Sequence, residues 1–422
     1  MKLYQIRQKF SGEEITNIKK SVREELQNSE SIKQLEKGSK VAVTAGSRGI
    51  ENIVKILRET ITYLKEKELK PFIIPAMGSH GGATKEGQLE VLQHIGITEE
   101  SVGAPIYSSM DVMKLGTTGD GLPVYIDKYA AQADGIIVVN RIKVHTAFKG
   151  KVESGLSKMI TIGLGKQKGA SFVHSQGADK MEHNILQVSN YALKHSKICI
   201  GLAIVENGYE QTSIIKGVDP ENWHEEETKL LKKSKELMPA LPIEDIDLLI
   251  VEEMGKCYSG TGMDPNIIGR WRIEGVPEPK VPNIKKIAVL DLAEKSHGNA
   301  QGIGLADFTT EKLVKKIDRK STYMNAVTST YLQRAMIPLT YEGEQETIES
   351  ALKSLGPGIE INKVSLIQIA NTLDLTNIFV SQVVIDKLNN KNADYEIVKE
   401  IELDYVNNEL KYRLSNANII NH

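Results

Sequence analysis

The feature that most limits this chain is a recurring unit: a short apolar run, a break into glycine and polar side chains, then an amphipathic helix. Val41–Thr44 runs into Ala45-Gly46-Ser47-Arg48-Gly49, after which Ile50, Ile53, Val54, Leu57, Ile61 and Leu64 recur at helical spacing. Pro71-Phe72-Ile73-Ile74-Pro75 leads to Gly78-Ser79-His80-Gly81-Gly82-Ala83-Thr84, and Thr84 is placed to cap a helix carrying Leu89, Val91, Leu92 and Ile95. Gly135–Val139 ends in Asn140-Arg141-Ile142-Lys143-Val144-His145. Strands alternating with helices predict an α/β fold with a largely parallel sheet. Ligands bind such sheets beyond the carboxyl ends of the strands, and three of these ends are polar, glycine-rich or basic.

With 422 residues the chain is too long for one ordinary core. Pro239-Ala240-Leu241-Pro242 breaks the pattern and is the expected boundary. The reading is therefore an N-terminal α/β domain over 1–238, completed by a returning segment at 395–422. A second α/β domain over 239–394 is expected to close over a ligand in the cleft between the two. Ile246–Val251, Ile287–Leu290 and Val364–Ile369 are the expected strands of that second domain. No repeat and no low-complexity tract is present.

Composition removes several function classes. The 53 basic and 55 acidic side chains nearly cancel, so no long-range field draws nucleic acid or an anionic membrane. The two cysteines, Cys199 and Cys257, build neither a disulfide scaffold nor a CxxC zinc site. The N-terminal residues lack the apolar core of a signal peptide, and no stretch is long and apolar enough to span a bilayer. The expected compartment is the cytoplasm.

Among nine histidines, His80, His145 and His174 fall where chemistry would use them. His80 and His145 both follow strands. Two facing imidazoles can exchange the roles of general acid and general base, as inversion at a carbinol carbon requires. The plainer reading of each is a solvated loop histidine. The stretch Lys149–His174 places Lys149, Lys151, Lys158, Lys166 and Lys168 among glycines, which suits either a basic loop and helix or a cradle for an anion. Neither the Walker pattern nor GxGxxG occurs.

Here the sequence resembles a known family. Ser47-Arg48, the Gly78-Ser79-His80 turn, the run His145, Phe148, Gly150, and Ser154-Gly155-Leu156-Ser157-Lys158 with Gly163 resemble the N-terminal motifs of lactate racemase and its nickel-pincer-dependent isomerase homologues. With Lys158 set on the family's cofactor-bearing lysine, the nickel-ligating histidine falls on His174 without a gap. The resemblance is specific over 41–174 and general over the rest. It implies a lactate-racemase-like fold and a racemase or epimerase acting at C2 of a 2-hydroxy acid by proton-coupled hydride transfer. It implies His80 and His145 as catalytic acid and base, His174 as metal ligand, and Lys158 as covalent anchor of a nickel-pincer nucleotide (a pyridinium-3,5-bisthiocarboxylic acid mononucleotide holding nickel). Arg48, Ser47, Gly155 and Ser157 would complete the cofactor site. Cofactor-synthesis proteins are the implied partners, and a homo-oligomer is left open. Gly81-Gly82 stands where the family has Arg-Pro, Ile162 replaces a proline, and the segment from His145 to Gly155 is longer. These departures mark a divergent homologue, not lactate racemase proper.

In the second domain, Gly255–Asn266 and Glu294–Gly302 are polar, glycine-rich loops after strands. Lys295, Asn299 and Gln301 are the candidates for substrate binding, and such polar loops point toward a sugar-acid-like substrate. Two rival readings stand beside this one. The first is a zinc-type hydrolase or lyase, which would need more protein ligands than His174. The second is a non-catalytic protein that binds a phosphometabolite or cofactor, for which two placed histidines are superfluous.

Overall fold

The computed structural model describes residues 1–177, 180–391 and 393–415. They divide into two compact units, one of Ser11–Met238 and one of Met1–Phe10 with Pro239 onward. Both are α/β. No described helix is long and apolar enough to cross a membrane.

The chain opens with strand β1 (Lys2–Gln8), which belongs to the second unit. The first unit then lays down β2 (Lys40–Ala45), β3 (Lys70–Pro75), a hairpin of β4 (Val112–Thr117) and β5 (Pro123–Asp127), β6 (Gly135–Arg141), β7 (Ile198–Glu206) and β8 (Thr212–Val218). Its main sheet has the order β3-β2-β6-β7-β8, parallel except for β8. The apolar runs have no polar face because both sides are covered. Val41, Val43, Ile73, Ile137 and Val139 point into a core shared with the helices Ile18–Asn28 and Ile53–Glu66. Their neighbours Ala42, Phe72, Ile74, Ile136 and Val138 point the other way, against Leu156–Leu164, Met181–His195 and Trp223–Leu237.

The strand order positions the site. From β2 the chain moves outward to β3, then returns to the other side of β2 as β6. Adjacent connections leaving a parallel sheet on opposite faces open a crevice at that reversal. The loops flanking it are those that follow β2, with Ser47 and Arg48, and β6, with the segment leading to His145.

The second unit adds β9 (Asp245–Met254), β10 (Asn283–Leu292), β11 (Phe308–Thr310), β12 (Leu339–Tyr341), β13 (Leu366–Ile369), β14 (Asn377–Ser381) and β15 (Tyr395–Glu402). They form one sheet with β1, in the order β12-β11-β10-β9-β13-β14-β1-β15. This corrects the expected placement of both chain ends. Residues 395–402 do not complete the first unit: β15 pairs antiparallel with β1 inside the second. The backbone ladder with β1, whose Leu3 and Ile6 are fully buried, holds it there, and the exposed pairs Lys2–Glu400 at 2.6 Å, Arg7–Glu396 at 3.2 Å and Lys9–Asp394 at 2.9 Å match charge along this edge. Residues 416–422 of the expected returning segment lie outside the described residues.

Candidate functional site

Three loops and one helix of the first unit carry the chemistry. After β3, Met77–Thr84 turns through positive φ at Gly78, Gly81 and Gly82. Gly81 is needed for close approach, since a Cβ there would stand 2.4 Å from the Gly87 carbonyl carbon. Thr84 caps the helix Lys85–His94, its hydroxyl accepting from the Gly87 amide at 3.0 Å. His80 is exposed as a whole residue, but its ring nitrogen Nδ1 is part-buried, 2.7 Å from the Met77 carbonyl oxygen. A carbonyl only accepts, so Nδ1 carries the proton and Nε2 presents a lone pair. Loss of hydration lowers the His80 pKa, and the charges of Arg48 and Lys158 add to this against the pull of the Met77 bond.

The turn is tied to the interior by a buried strut. Gln88 donates to the Gly78 carbonyl at 3.0 Å and to that of His80 at 3.4 Å. Its own carbonyl accepts from Lys166 Nζ at 3.0 Å, and Lys166 also bonds Pro75 O and pairs with Asp127 at 3.3 Å. Lys166 and Asp127 are fully buried. Lys166 is therefore a brace and not part of an anion cradle.

After β6, residues 143 and 154 exchange two backbone hydrogen bonds and close a loop over 144–153. Inside it sits Glu153, almost fully buried. Its carboxylate accepts the His145 amide at 2.6 Å and lies 3.0 Å from Lys235 Nζ. His145 Nδ1 accepts from the Ala147 amide at 3.1 Å, so this ring has the opposite tautomer and presents Nε2–H. The ring packs on Phe148 with centroids 4.3 Å apart, and Lys158 Nζ stands 5.8 Å from the same Phe148 ring.

Lys158 ends a single helical turn, Leu156–Lys158, that widens into a π-helix over Met159–Leu164 and becomes α-helical over Lys166–Ser175. The π segment packs on the His80 turn: Gly78 donates to the Gly163 carbonyl at 3.3 Å. Lys158 has no acidic side chain in salt-bridge contact among the described residues. Burial lowers its pKa to about 8, with Arg48 and Lys143 repelling the proton and Glu153 opposing them. His174, exposed near the end of this helical stretch, also has a lowered pKa, through loss of hydration and then the charges of Lys158 and His80.

The first unit thus brings Arg48, His80, Lys158 and His174 within electrostatic reach of one another, and links His145 to Lys158 through Phe148. Ser47 lies partly exposed at the β2 end beside Arg48. Gly155 and Ser157 differ from their expected role. Both are buried, and the Ser157 hydroxyl and amide bond Glu227 instead of facing a cofactor. In the second unit, Lys295 is exposed, Asn299 accepts the Gln301 amide at 3.2 Å, and Gln301 is 4% exposed with no partner for Oε1.

Glu153, Glu227 and the Lys166–Asp127 pair were not legible as parts of the site. Glu227 had one signal: it falls on the apolar stripe of its helix, with Trp223, Leu230 and Leu231. Among the described residues no group of three or more His, Cys, Asp or Glu could hold a metal ion, so the protein offers a metal here single imidazoles. The donor set nonetheless fits a nucleotide that brings most of its own metal ligands. It has a partly neutral amine for covalent attachment, a guanidinium for phosphate or carboxylate, and a neutral imidazole to complete the coordination.

Residues 3–184 match the family model described as lactate racemase N-terminal domain. The fold is similar to the lactate racemase apoprotein from Thermoanaerobacterium thermosaccharolyticum, at TM-score 0.52 and 14% identity, covering 87% of this chain and 94% of that one. It is also similar to a protein from Thermotoga maritima, at TM-score 0.51 and 12% identity, covering 86% and 98%. No curated protein matches the sequence.

Proposed function

We propose that this chain, whose residues 3–184 match the lactate racemase N-terminal domain, is a nickel-pincer nucleotide-dependent racemase or epimerase acting at C2 of a 2-hydroxy acid. One observation carries the reading. The cationic pair Arg48 and Lys158 meets the imidazoles of His80 and His174 beside the sheet's point of reversal, and neither cation has an ion-pair partner among the described residues. Positive charge only partly offset, by Glu153 acting on Lys158, next to imidazoles held toward the neutral form suits an anion whose carbinol proton must be moved.

Lys158 would attach the nucleotide, Arg48 and Ser47 would hold its phosphate or the substrate carboxylate, and His174 would ligate the metal. When bound, the cofactor supplies a reversible hydride acceptor at C2. The protein's share is proton handling. His80 presents a lone pair at Nε2 and takes the hydroxyl proton as the carbinol becomes a carbonyl. His145 presents Nε2–H toward a developing oxyanion. To give that proton away without becoming an anion it must first gain a second one at Nδ1, which requires the Ala147 amide to release. The Glu153 clamp on the His145 amide keeps the loop in place while the ring changes state. The polar loop after β10 supports a sugar-acid-like substrate, with Lys295, Asn299 and Gln301 as its partners.

The test is intact mass spectrometry of protein co-expressed with pincer-synthesis proteins, joined to a panel of 2-hydroxy acids scored for C2 deuterium retention. His145→Ala should abolish turnover and leave the added cofactor mass. Lys158→Ala should remove both. Full activity of Lys158→Ala, or inversion with C2 deuterium exchanged for solvent hydrogen, would overturn the reading.

A further inference from the structure

The turn that carries Lys158 begins at Gly155, which has no side chain to cap it. Its first amides are nonetheless buried, since Leu156 and Ser157 are both 0% exposed. Buried N–H groups at a helix start need acceptors, because an orphan pays its full desolvation penalty. The acceptor comes from elsewhere in the chain. Glu227, on the helix Trp223–Leu237, takes the Ser157 amide at 3.2 and 3.1 Å on its two oxygens, the Ser157 hydroxyl, and a bond from the Leu156 backbone. The glycine is part of the same arrangement, because a Cβ at Gly155 would stand 2.1 Å from Glu227 Oε1. Asn140, at the end of β6, holds the Gly155 carbonyl from the other side at 2.7 Å. Among the described residues Glu227 makes no hydrogen bond to Lys158 or to an imidazole of the site, and its hydrogen-bond partners are in this turn.

We propose that Glu227 is the positioning residue for Lys158: its buried carboxyl replaces the missing cap of the turn at 155–158 and so fixes where the lysine amine stands. The inference rests on Lys158 being the reactive amine, and it explains why a carboxyl is buried without a cation beside it. A helix start free to rotate or fray would let the four-carbon stem swing toward water, away from Arg48. A fixed turn keeps the amine crowded and partly neutral, as covalent attachment requires.

Competitive labelling tests this on the full-length, cofactor-free protein. Trace acetic anhydride is applied from pH 6 to 11, and acetylation of the Lys158 peptide is followed by mass spectrometry, with exposed Lys37 and Lys67 as references. The wild-type Lys158 profile should have its midpoint near 8. Glu227→Ala should move it toward the ordinary 10.5, Glu227→Gln should fall between, and Ser157→Ala should give a smaller move in the same direction. If Glu227→Ala does not fold, Glu227→Gln and Ser157→Ala decide the matter. A wild-type midpoint near 8 that no variant moves, whatever happens to stability, would overturn the positioning role alone. A wild-type midpoint near 10.5 would instead remove Lys158 as the reactive amine, and this proposal with it.

Discussion

Replacing Lys166 by methionine shortens the side chain by one atom and deletes its charge. Lys166 Nζ donates to Pro75 O and to Gln88 Oε1 at 3.0 Å and forms an ion pair with Asp127 Oδ2 at 3.3 Å, and neither member of the ion pair has any exposed side-chain surface. Asp127 keeps only the Tyr129 and Ala130 amides, at 2.8 and 3.1 Å on Oδ1. Leaving one buried charge without its counter-ion costs about 3–5 kcal/mol. None of this is recovered at the backbone: Lys166 has φ +52°, and a left-handed conformation costs any non-glycine residue about 1–2 kcal/mol. Methionine shares that cost, so Lys166→Gly is the variant that relieves it. At about 2–4 °C per kcal/mol for a unit of this size, Lys166→Met should lower the melting transition of the first unit by roughly 6–20 °C. The double variant Lys166→Met/Asp127→Asn should recover most of the loss, since it removes both charges. Scanning calorimetry with urea titration reads both quantities. The strut also carries Gln88, which holds the His80 carbonyl, so His80 should show altered imidazole chemical shifts in the single variant. A loss under about 1 kcal/mol, or a double variant less stable than the single one, would mean the pair does not brace the turn.

Four further outcomes follow from the same geometry. Burial raises the Glu227 pKa from 4.5 to about 7, so the folded state favours the protonated form. Its contribution to stability is full below about pH 4.5 and is lost as pH rises to about 7, a span of roughly 3 kcal/mol; urea unfolding should show that slope, and Glu227→Gln should flatten it. Gly155→Ala drives a methyl against Glu227 Oε1 and should cost about 1–3 kcal/mol by denaturant titration. The His80 pKa is lowered from 6.5, so the acid limb of kcat/KM should lie below that value; a limb centred above pH 6.5 would contradict the assignment. His174→Ala should keep the covalent mass on Lys158 while losing nickel by elemental analysis.

What the sequence could and could not disclose divides along a physical line. The strands of the first unit are unbroken apolar runs because helices cover both faces of the sheet, so β2, β3 and β6 were readable within a residue or two. The hairpin β4–β5 was not, since Val112–Thr117 has no buried residue and its pattern does not alternate cleanly. β1 was missed for a related reason. Its sequence KLYQIRQ is half polar, and its partners β14 and β15 come more than 370 residues later, so nothing local announces a strand that crosses into the other unit.

The same division runs through the site. His80, His145 and Lys158 stand after strands or at a helix start, where backbone geometry alone points side chains outward, and such positions can be read from spacing. The groups that hold them are buried charges: Glu153 under His145, Glu227 under the Lys158 turn, and Lys166 with Asp127 behind His80. In sequence each resembles an ordinary surface charge, and Lys166 was read as part of an anion cradle for that reason. Only burial distinguishes them, and burial depends on contacts such as the one linking Ser157 to a residue 70 positions away. A buried carboxyl that accepts three or four donors costs far more to place than a surface one, so it persists where something nearby must not move. On that argument the bracing carboxyls, more than the imidazoles, mark which loops of this unit are built to stay fixed during turnover. Hydrogen exchange should find the 143–158 amides bound by Glu153 and Glu227 protected even in the cofactor-free protein; rapid exchange there would show that the scaffold forms only on loading.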